Sequence, residues 1–247
     1  MTFLKVQGLS KSFGGVQAAR DVSFEVGAGQ LVALIGPNGA GKSTTFNMLG
    51  GQLLPDRGGV ELDGKKITGL GPRRIWRAGV GRTFQITATF ASLTVAGNVQ
   101  AALMSAHRRL LDPFSWAEGL YRDEAAALAK RVGLERAIDR PVGELAYGDL
   151  KRVELALALA GKPRLLLMDE PTAGMAAHER ADLMAQVAEL AKAENVGVLF
   201  TEHDMDAVFT HADHVLVLHQ GAIVARGTPE EIRADSHVRA IYLGTAA

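Results

Sequence analysis

Gly36-Pro37-Asn38-Gly39-Ala40-Gly41-Lys42-Ser43 decides how the rest of the chain is read. It fits G-x-x-x-x-G-K-[ST], preceded by the apolar run Leu31 to Ile35 and followed by a helix predicted to start near Lys42. A glycine-rich turn that merely contains Lys-Ser would not carry that strand–loop–helix setting, so the stretch reads as a phosphate-binding loop. The glycines let the backbone curl until successive N–H groups point inward at a polyphosphate. The helix that follows turns its positive end to the same place. Lys42 adds a full charge for the β- and γ-phosphates, and Ser43 offers a hydroxyl to Mg²⁺. Gly36, Asn38, Gly39, Ala40, Gly41, Lys42, Ser43 and Thr44 are therefore the candidate contacts, and the implied ligand is a nucleoside triphosphate.

Outward from the loop, composition sets bounds. A chain of 247 residues, 47% of them apolar, is long enough for one large α/β domain with an appended part. Its 27 basic and 27 acidic residues cancel, so no charge excess argues for nucleic acid as a partner. Cysteine is absent, which excludes disulfides and thiolate metal sites. The start, Met1-Thr2-Phe3-Leu4-Lys5-Val6, lacks the basic and apolar regions of a signal peptide. No uncharged apolar stretch reaches the roughly 18 residues a membrane span needs, so a role in a membrane process would be exercised through a partner.

Before the loop, Leu4, Val6, Phe13, Val16, Val22, Phe24 and Val26 alternate with polar residues, predicting strands separated at Gly14-Gly15 and Gly27-Ala28-Gly29. Val60 to Lys65 reads as a short strand and hairpin. From about Ile86 to Ala160, Ala and Leu dominate and several helices are expected: one over Tyr121 to Val132, and one from near Asp149 with Leu150, Val153, Leu157 and Ala160 on one face. Leu165 to Met168 and Val198 to Thr201 are fully apolar runs, as buried parallel strands require. Between them lies a helix with Leu183, Val187, Leu190 and Ala191 on one face, closed by Asn195 and Gly197. His214 to Leu218 and Ala222 to Arg226 predict a hairpin about Gln220-Gly221, and the tail from Pro229 reads as helical. The expected fold is α/β with a mostly parallel sheet, an antiparallel β part on the N-terminal side and an inserted helical subdomain.

Chemistry beyond the loop gathers at strand ends, where open α/β sheets bind ligands. Asp169 would hold Mg²⁺ directly or through water, and Glu170 would polarise an attacking water beyond the γ-phosphate. His203, also after an apolar strand, would contact the γ-phosphate and orient Glu170. His211, His214 and His219 cluster in sequence, but their spacing forms no metal-ligand set. Leu145-Ala146-Tyr147-Gly148-Asp149 precedes a helix; by itself this is an ordinary capped helix start, whose first amides are also of the kind that can bind a second anion.

Together these motifs resemble the ATP-binding subunits of ABC transporters, over essentially the whole chain. The resemblance implies a P-loop NTPase (RecA-like) core in residues 1–85 and 161–230, a helical subdomain in 86–160 and a helical tail in 231–247. It makes Asp169-Glu170 the Walker B end with its catalytic glutamate and His203 the switch histidine. Gln85, in Arg82-Thr83-Phe84-Gln85, becomes the glutamine that meets Mg²⁺ and the attacking water, and Phe13 the ring on which adenine stacks. Ala146, Tyr147 and Gly148 fall in the signature segment, which in this family faces the ATP of a second cassette packed head to tail. The implied ligands are ATP and Mg²⁺. The implied partners are that second, non-identical cassette, membrane permeases contacted by the helical block, and indirectly a periplasmic solute-binding protein. The implied place is the cytoplasmic face of the inner membrane.

Two positions depart from the family pattern. Ala146 stands where Ser is usual, which removes one hydroxyl contact worth on the order of 1 kcal/mol. Gly174-Met175-Ala176-Ala177 lacks the aspartate usual after Walker B, and unequal sites in a mixed dimer are the expected result. Thr201-Glu202-His203-Asp204-Met205 and the ending Gly227 to Gly244 are most similar to the first of two ATPase subunits in branched-chain amino acid importers. Urea and short-amide importers and a lipopolysaccharide exporter share much of the pattern. Soluble cassettes of translation or DNA repair usually carry two copies or a long coiled coil, and this chain has neither.

Overall fold

The computed structural model describes residues 2–83, 89–107 and 119–243. In chain order the elements begin with β1 (Thr2–Phe13), β2 (Val16–Gly27), β3 (Leu31–Ile35) and α1 (Lys42–Leu49). Next come β4 (Arg57–Leu62), β5 (Lys65–Lys66), α2 (Pro72–Arg77) and β6 (Val80–Thr83). The helices α3 (Val95–Ala106), α4 (Arg122–Arg131) and α5 (Tyr147–Leu159) follow. The chain then alternates β7 (Leu165–Asp169), α6 (Ala177–Glu194), β8 (Gly197–Thr201) and α7 (Met205–His211). It finishes with β9 (His214–His219), β10 (Ala222–Gly227), α8 (Pro229–Ala234) and α9 (Ser236–Leu243).

Two sheets result. The smaller runs β2-β1-β4-β5 and is antiparallel, with Leu4 opposite Leu62 and Val6 opposite Val60. The larger runs β10-β9-β3-β8-β7-β6; its five inner-to-far strands are parallel and β10 caps one edge antiparallel. Every residue of β3 and of β8 is buried. Five apolar residues are too few for a helix and suit a strand covered on both faces.

Alternation along these strands splits the core in two. Leu31, Ala33, Ile35, Leu166, Met168, Val198 and Phe200 point into one cluster with α3, α4, α5 and α6. Val32, Leu34, Leu165, Leu167 and Leu199 point the opposite way, into a cluster with α1 and the antiparallel sheet. The central sheet is thus sandwiched between helices and a β layer, each strand serving both through its period of two.

Sequence pattern and structure differ at a few boundaries. The helix expected from near Asp149 starts at Tyr147, because Ala146 is already extended (φ −62°, ψ 154°) and serves as its N-cap. α6 ends at Asn195 in the left-handed conformation (φ 54°), whereas Gly197 opens β8. Short elements α2, β6 and α7 carry too few periodic residues to stand out in sequence. β6 reads Val-Gly-Arg-Thr and is a strand because it pairs along β7, Val80 beside Leu165 and Thr83 beside Met168.

Candidate nucleotide site

The phosphate loop is wedged between two backbones. A Cβ on Gly36 would lie 2.1 Å from the Leu218 carbonyl oxygen, and one on Gly41 would lie 2.1 Å from that of Ala18. Gly41 also has φ +106° and is the N-cap of α1. Glycine is therefore required at both ends of the curl on steric grounds alone. The loop is tied to the turn between β9 and β10 by the Gly221 N–H, which donates to the Ala40 carbonyl at 2.9 Å. α1 carries no acidic residue in its first turn and no side-chain cap, so its positive end is left for an anion. Lys42, 8% exposed, donates from Nζ to the carbonyls of Gly36 (2.6 Å) and Pro37 (3.2 Å). Burial holds its ammonium below the usual 10.5, with the carboxylates of Glu170 and Asp169 opposing that shift.

The facing wall is built at the ends of β7 and β8, where Asp169 pairs with Thr201. The Thr201 hydroxyl donates to Asp169 Oδ1 at 2.8 Å and accepts from the Glu170 N–H at 3.0 Å. Glu170 takes a left-handed conformation (φ 50°), which turns the chain out of the strand. Its Oε1 lies 2.8 Å from His203 Nε2. A cavity of about 200 Å³ results, lined by Ala18, the loop from Asn38 to Thr44, Glu170 and His203. Residues distant in sequence are thus brought to one place by the parallel order of β3, β8 and β7.

A hard cation takes oxygen ligands, and Ser43 and Asp169 supply that donor type beside the cavity. Asp169 Oδ2 faces Arg82 at 3.7 Å, while Oδ1 is held by Thr201. The donor chemistry fits Mg²⁺.

The other expected site residues lie elsewhere. Phe13 sits at the end of β1 with its ring 51% exposed beside Lys11, whose Nζ is 5.8 Å from the ring centre, and it does not line the cavity. Gln85 lies outside the described residues. Ala146 precedes α5 as its N-cap, and Tyr147 and Gly148, which open the helix away from the cavity, face the turn at Gly174-Met175. No side chain caps α5, since Ala146 has no oxygen to offer.

Four contributors were not singled out from sequence. Thr201 could have been suspected from its place after Val198-Leu199-Phe200. Arg82, on the unremarkable β6, is invisible until β6 pairs with β7. Glu202 is 4% exposed and accepts from the Thr172 N–H (2.8 Å), the Thr172 hydroxyl (2.7 Å) and the His203 N–H (3.3 Å). Burial pushes its carboxyl above the usual 4.5, while those hydrogen bonds pull the other way. Tyr242, on α9, is 40% exposed overall, and partial desolvation of its hydroxyl, opposed by the Gly36 backbone, pushes it up to about 12.

Comparison with known proteins agrees with this geometry. Residues 19–173 match the family model for ABC transporters, and residues 222–247 match a model described as branched-chain amino acid ATP-binding cassette transporter. The chain belongs to the ABC transporter family. The cassette is 41% identical to the high-affinity branched-chain amino acid transport ATP-binding protein BraF of Pseudomonas aeruginosa, covering 98% of both chains. It is 38% identical to the corresponding protein LivG of Escherichia coli K12, again over 98% of both. Its structure is similar to the ADP conformation of MJ1267, an ATP-binding cassette of an ABC transporter, with a TM-score of 0.88 at 33% identity over 99% of both chains. That similarity extends over nearly the full length of the chain.

Proposed function

We propose that this cassette hydrolyses ATP to power import of branched-chain amino acids. The observation that carries the reading is the cavity in which the phosphate loop faces a hydrogen-bonded Glu170–His203 pair. ATP enters with its phosphates on the loop amides and Lys42, and its adenine against Phe13. Mg²⁺, held by Ser43, Asp169 and Gln85, would neutralise charge on the β- and γ-phosphates. Glu170 accepts a proton from water as its oxygen bonds to the γ-phosphorus; the bond to the β–γ bridging oxygen breaks and its electron pair leaves with ADP. His203 fixes Glu170 and donates toward the γ-phosphate. Positioning and charge stabilisation supply most of the acceleration in phosphoryl transfer, so no covalent intermediate is needed.

On this reading the site is completed by a second cassette. The uncapped start of α5 presents backbone N–H groups at Ala146 to Gly148 to that cassette's ATP. Names of the relatives BraF and LivG support the solute class. No helix among the described residues is long and apolar enough to cross a membrane, so permeases must supply the path. A groove of about 370 Å³, lined by Pro72, Ile75, Trp76, Leu157 and Ala158 among others, lies between α2, β6 and α5. We assign it to a permease helix, with residues 86–160 acting as the block that transmits closure, at the cytoplasmic face of the inner membrane. A periplasmic solute-binding protein would deliver the solute.

The test is reconstitution of the membrane complex in vesicles with ATP inside. ATP-dependent uptake of leucine, isoleucine or valine is expected. Uptake of urea or short amides instead would reassign the system.

A further inference from the structure

We infer that Glu202 is a positioning residue that makes the chain's own catalytic turn and the turn it lends to a partner cassette move as one unit. The inference rests on the head-to-tail reading above. Glu202 is buried, and both of its carboxylate oxygens are engaged: Oε1 by the Thr172 N–H and hydroxyl, Oε2 by the N–H of His203. It therefore clamps the segment that carries His203 to the segment that follows Glu170.

That second segment is short and stiff. The Ala173 N–H donates to the Glu170 carbonyl at 3.2 Å, and the Met175 N–H to the Thr172 carbonyl at 3.1 Å. Its far side bears on the start of α5. A Cβ on Gly174, which has φ +81°, would stand 3.2 Å from Cε1 of Tyr147. A Cβ on Gly148 would stand 3.4 Å from Cε of Met175 and 3.1 Å from Oε1 of Glu179. Met175 and Gly148 are buried where the two segments meet, and a packed contact of that kind transmits displacement instead of absorbing it. A shift of His203 or Glu170 during turnover thus reaches Tyr147 and Gly148 through Glu202, Thr172 and Gly174.

All three groups facing Glu202 are donors, so a carboxylate is required by chemistry as well as by size. An amide of the same shape would turn an NH₂ toward one of those donors. Tyr147 is 43% exposed at this turn, where the partner's nucleotide would meet it.

The experiment uses the complete complex with permeases and both cassettes, assayed for ATP turnover. Glu202→Gln and Thr172→Val are each expected to lower kcat at least about tenfold while KM for ATP stays within about threefold, since the interaction lost belongs to the transition state. Thr172→Ser, which keeps the hydroxyl, should retain most of the rate. The double variant Glu202→Gln/Thr172→Val should be no slower than the worse single one, because groups acting as a unit are not additive. Turnover of Glu202→Gln within about twofold of the parent, or losses that multiply in the double variant, overturns the proposal. If Glu202→Gln does not fold, equal kcat for Thr172→Val and Thr172→Ser overturns it. Sedimentation of Glu170→Gln cassettes mixed with the partner cassette and ATP separates the two levels. Absence of ATP-driven association removes the head-to-tail reading and this proposal with it, whereas association with undiminished Glu202→Gln turnover removes this proposal alone.

Discussion

His203 Nε2 and Glu170 Oε1 are 2.8 Å apart, although 33 residues separate them in the chain. The contact exists because β7 and β8 are parallel neighbours whose C-terminal ends coincide at Asp169 and Thr201. Glu170→Gln keeps the size and a hydrogen-bonding partner for His203 but cannot take a proton from water. Turnover should fall about a hundredfold or more while ATP affinity is retained, as for loss of a general base. Single-turnover hydrolysis and equilibrium titration check the two halves; near-parental hydrolysis removes Glu170 from the role.

Lys42 gives a pH signature. Its folded pKa lies below 10.5 because it is buried, and bound phosphates would raise it again. ATP binding is then linked to proton uptake, so affinity should decline as pH rises through the lowered value. Lys42→Arg stays charged across that range and should flatten the decline, whereas Lys42→Ala should weaken ATP binding about tenfold or more at neutral pH. Calorimetry in buffers of different ionisation heat would register the proton.

Gly41→Ala tests the wedge. The new Cβ would meet the Ala18 carbonyl, and the residue would keep φ at +106°. Backbone strain of this kind costs about 1–3 kcal/mol, and relieving it displaces Lys42 at the head of α1. Lower thermal stability together with weakened ATP binding is expected. Parental values for both would show that the loop has room the structure does not give it.

Glu202 predicts a difference in stability between the parent and Glu202→Gln that depends on pH. A carboxyl whose folded pKa lies above its unfolded value near 4.5 binds its proton more tightly when folded. The resulting contribution is present in full below the unfolded value and is lost as pH rises through the folded one. Denaturant titrations at pH values rising from about the unfolded value should therefore show the parent losing ground relative to the variant. A constant difference across that range contradicts the shift.

Much of this was legible in the chain because the decisive signals are local. The phosphate loop, the runs ending at Asp169 and Thr201, and the hairpin about Gln220-Gly221 each announce themselves within ten residues. Illegible parts depend on partners far away in sequence. Thr201 gains meaning only when β8 lies beside β7, Arg82 only when β6 pairs with β7, and Tyr242 only when α9 returns to Gly36. Glu202 illustrates the limit best: beside His203 it reads as one more charged residue in a loop, and only the burial of Thr172 against it makes it structural. The helix begins at Tyr147, two residues before the pattern predicts, for a related reason: Gly148 mimics a preceding turn and Ala146 lacks a capping oxygen.

The two-sided strands carry a consequence for inherited or engineered change. Leu199 and Leu167 lean toward α1 and the phosphate loop, whereas Val198, Phe200 and Met168 lean toward α5 and α6. Truncating any of them would cost a similar amount of stability, about 2–5 kcal/mol. The distortion, however, would travel in opposite directions. A residue-by-residue scan along β7 or β8 should therefore oscillate: one position impairs the handling of the chain's own nucleotide, and the next impairs what it offers to its neighbours.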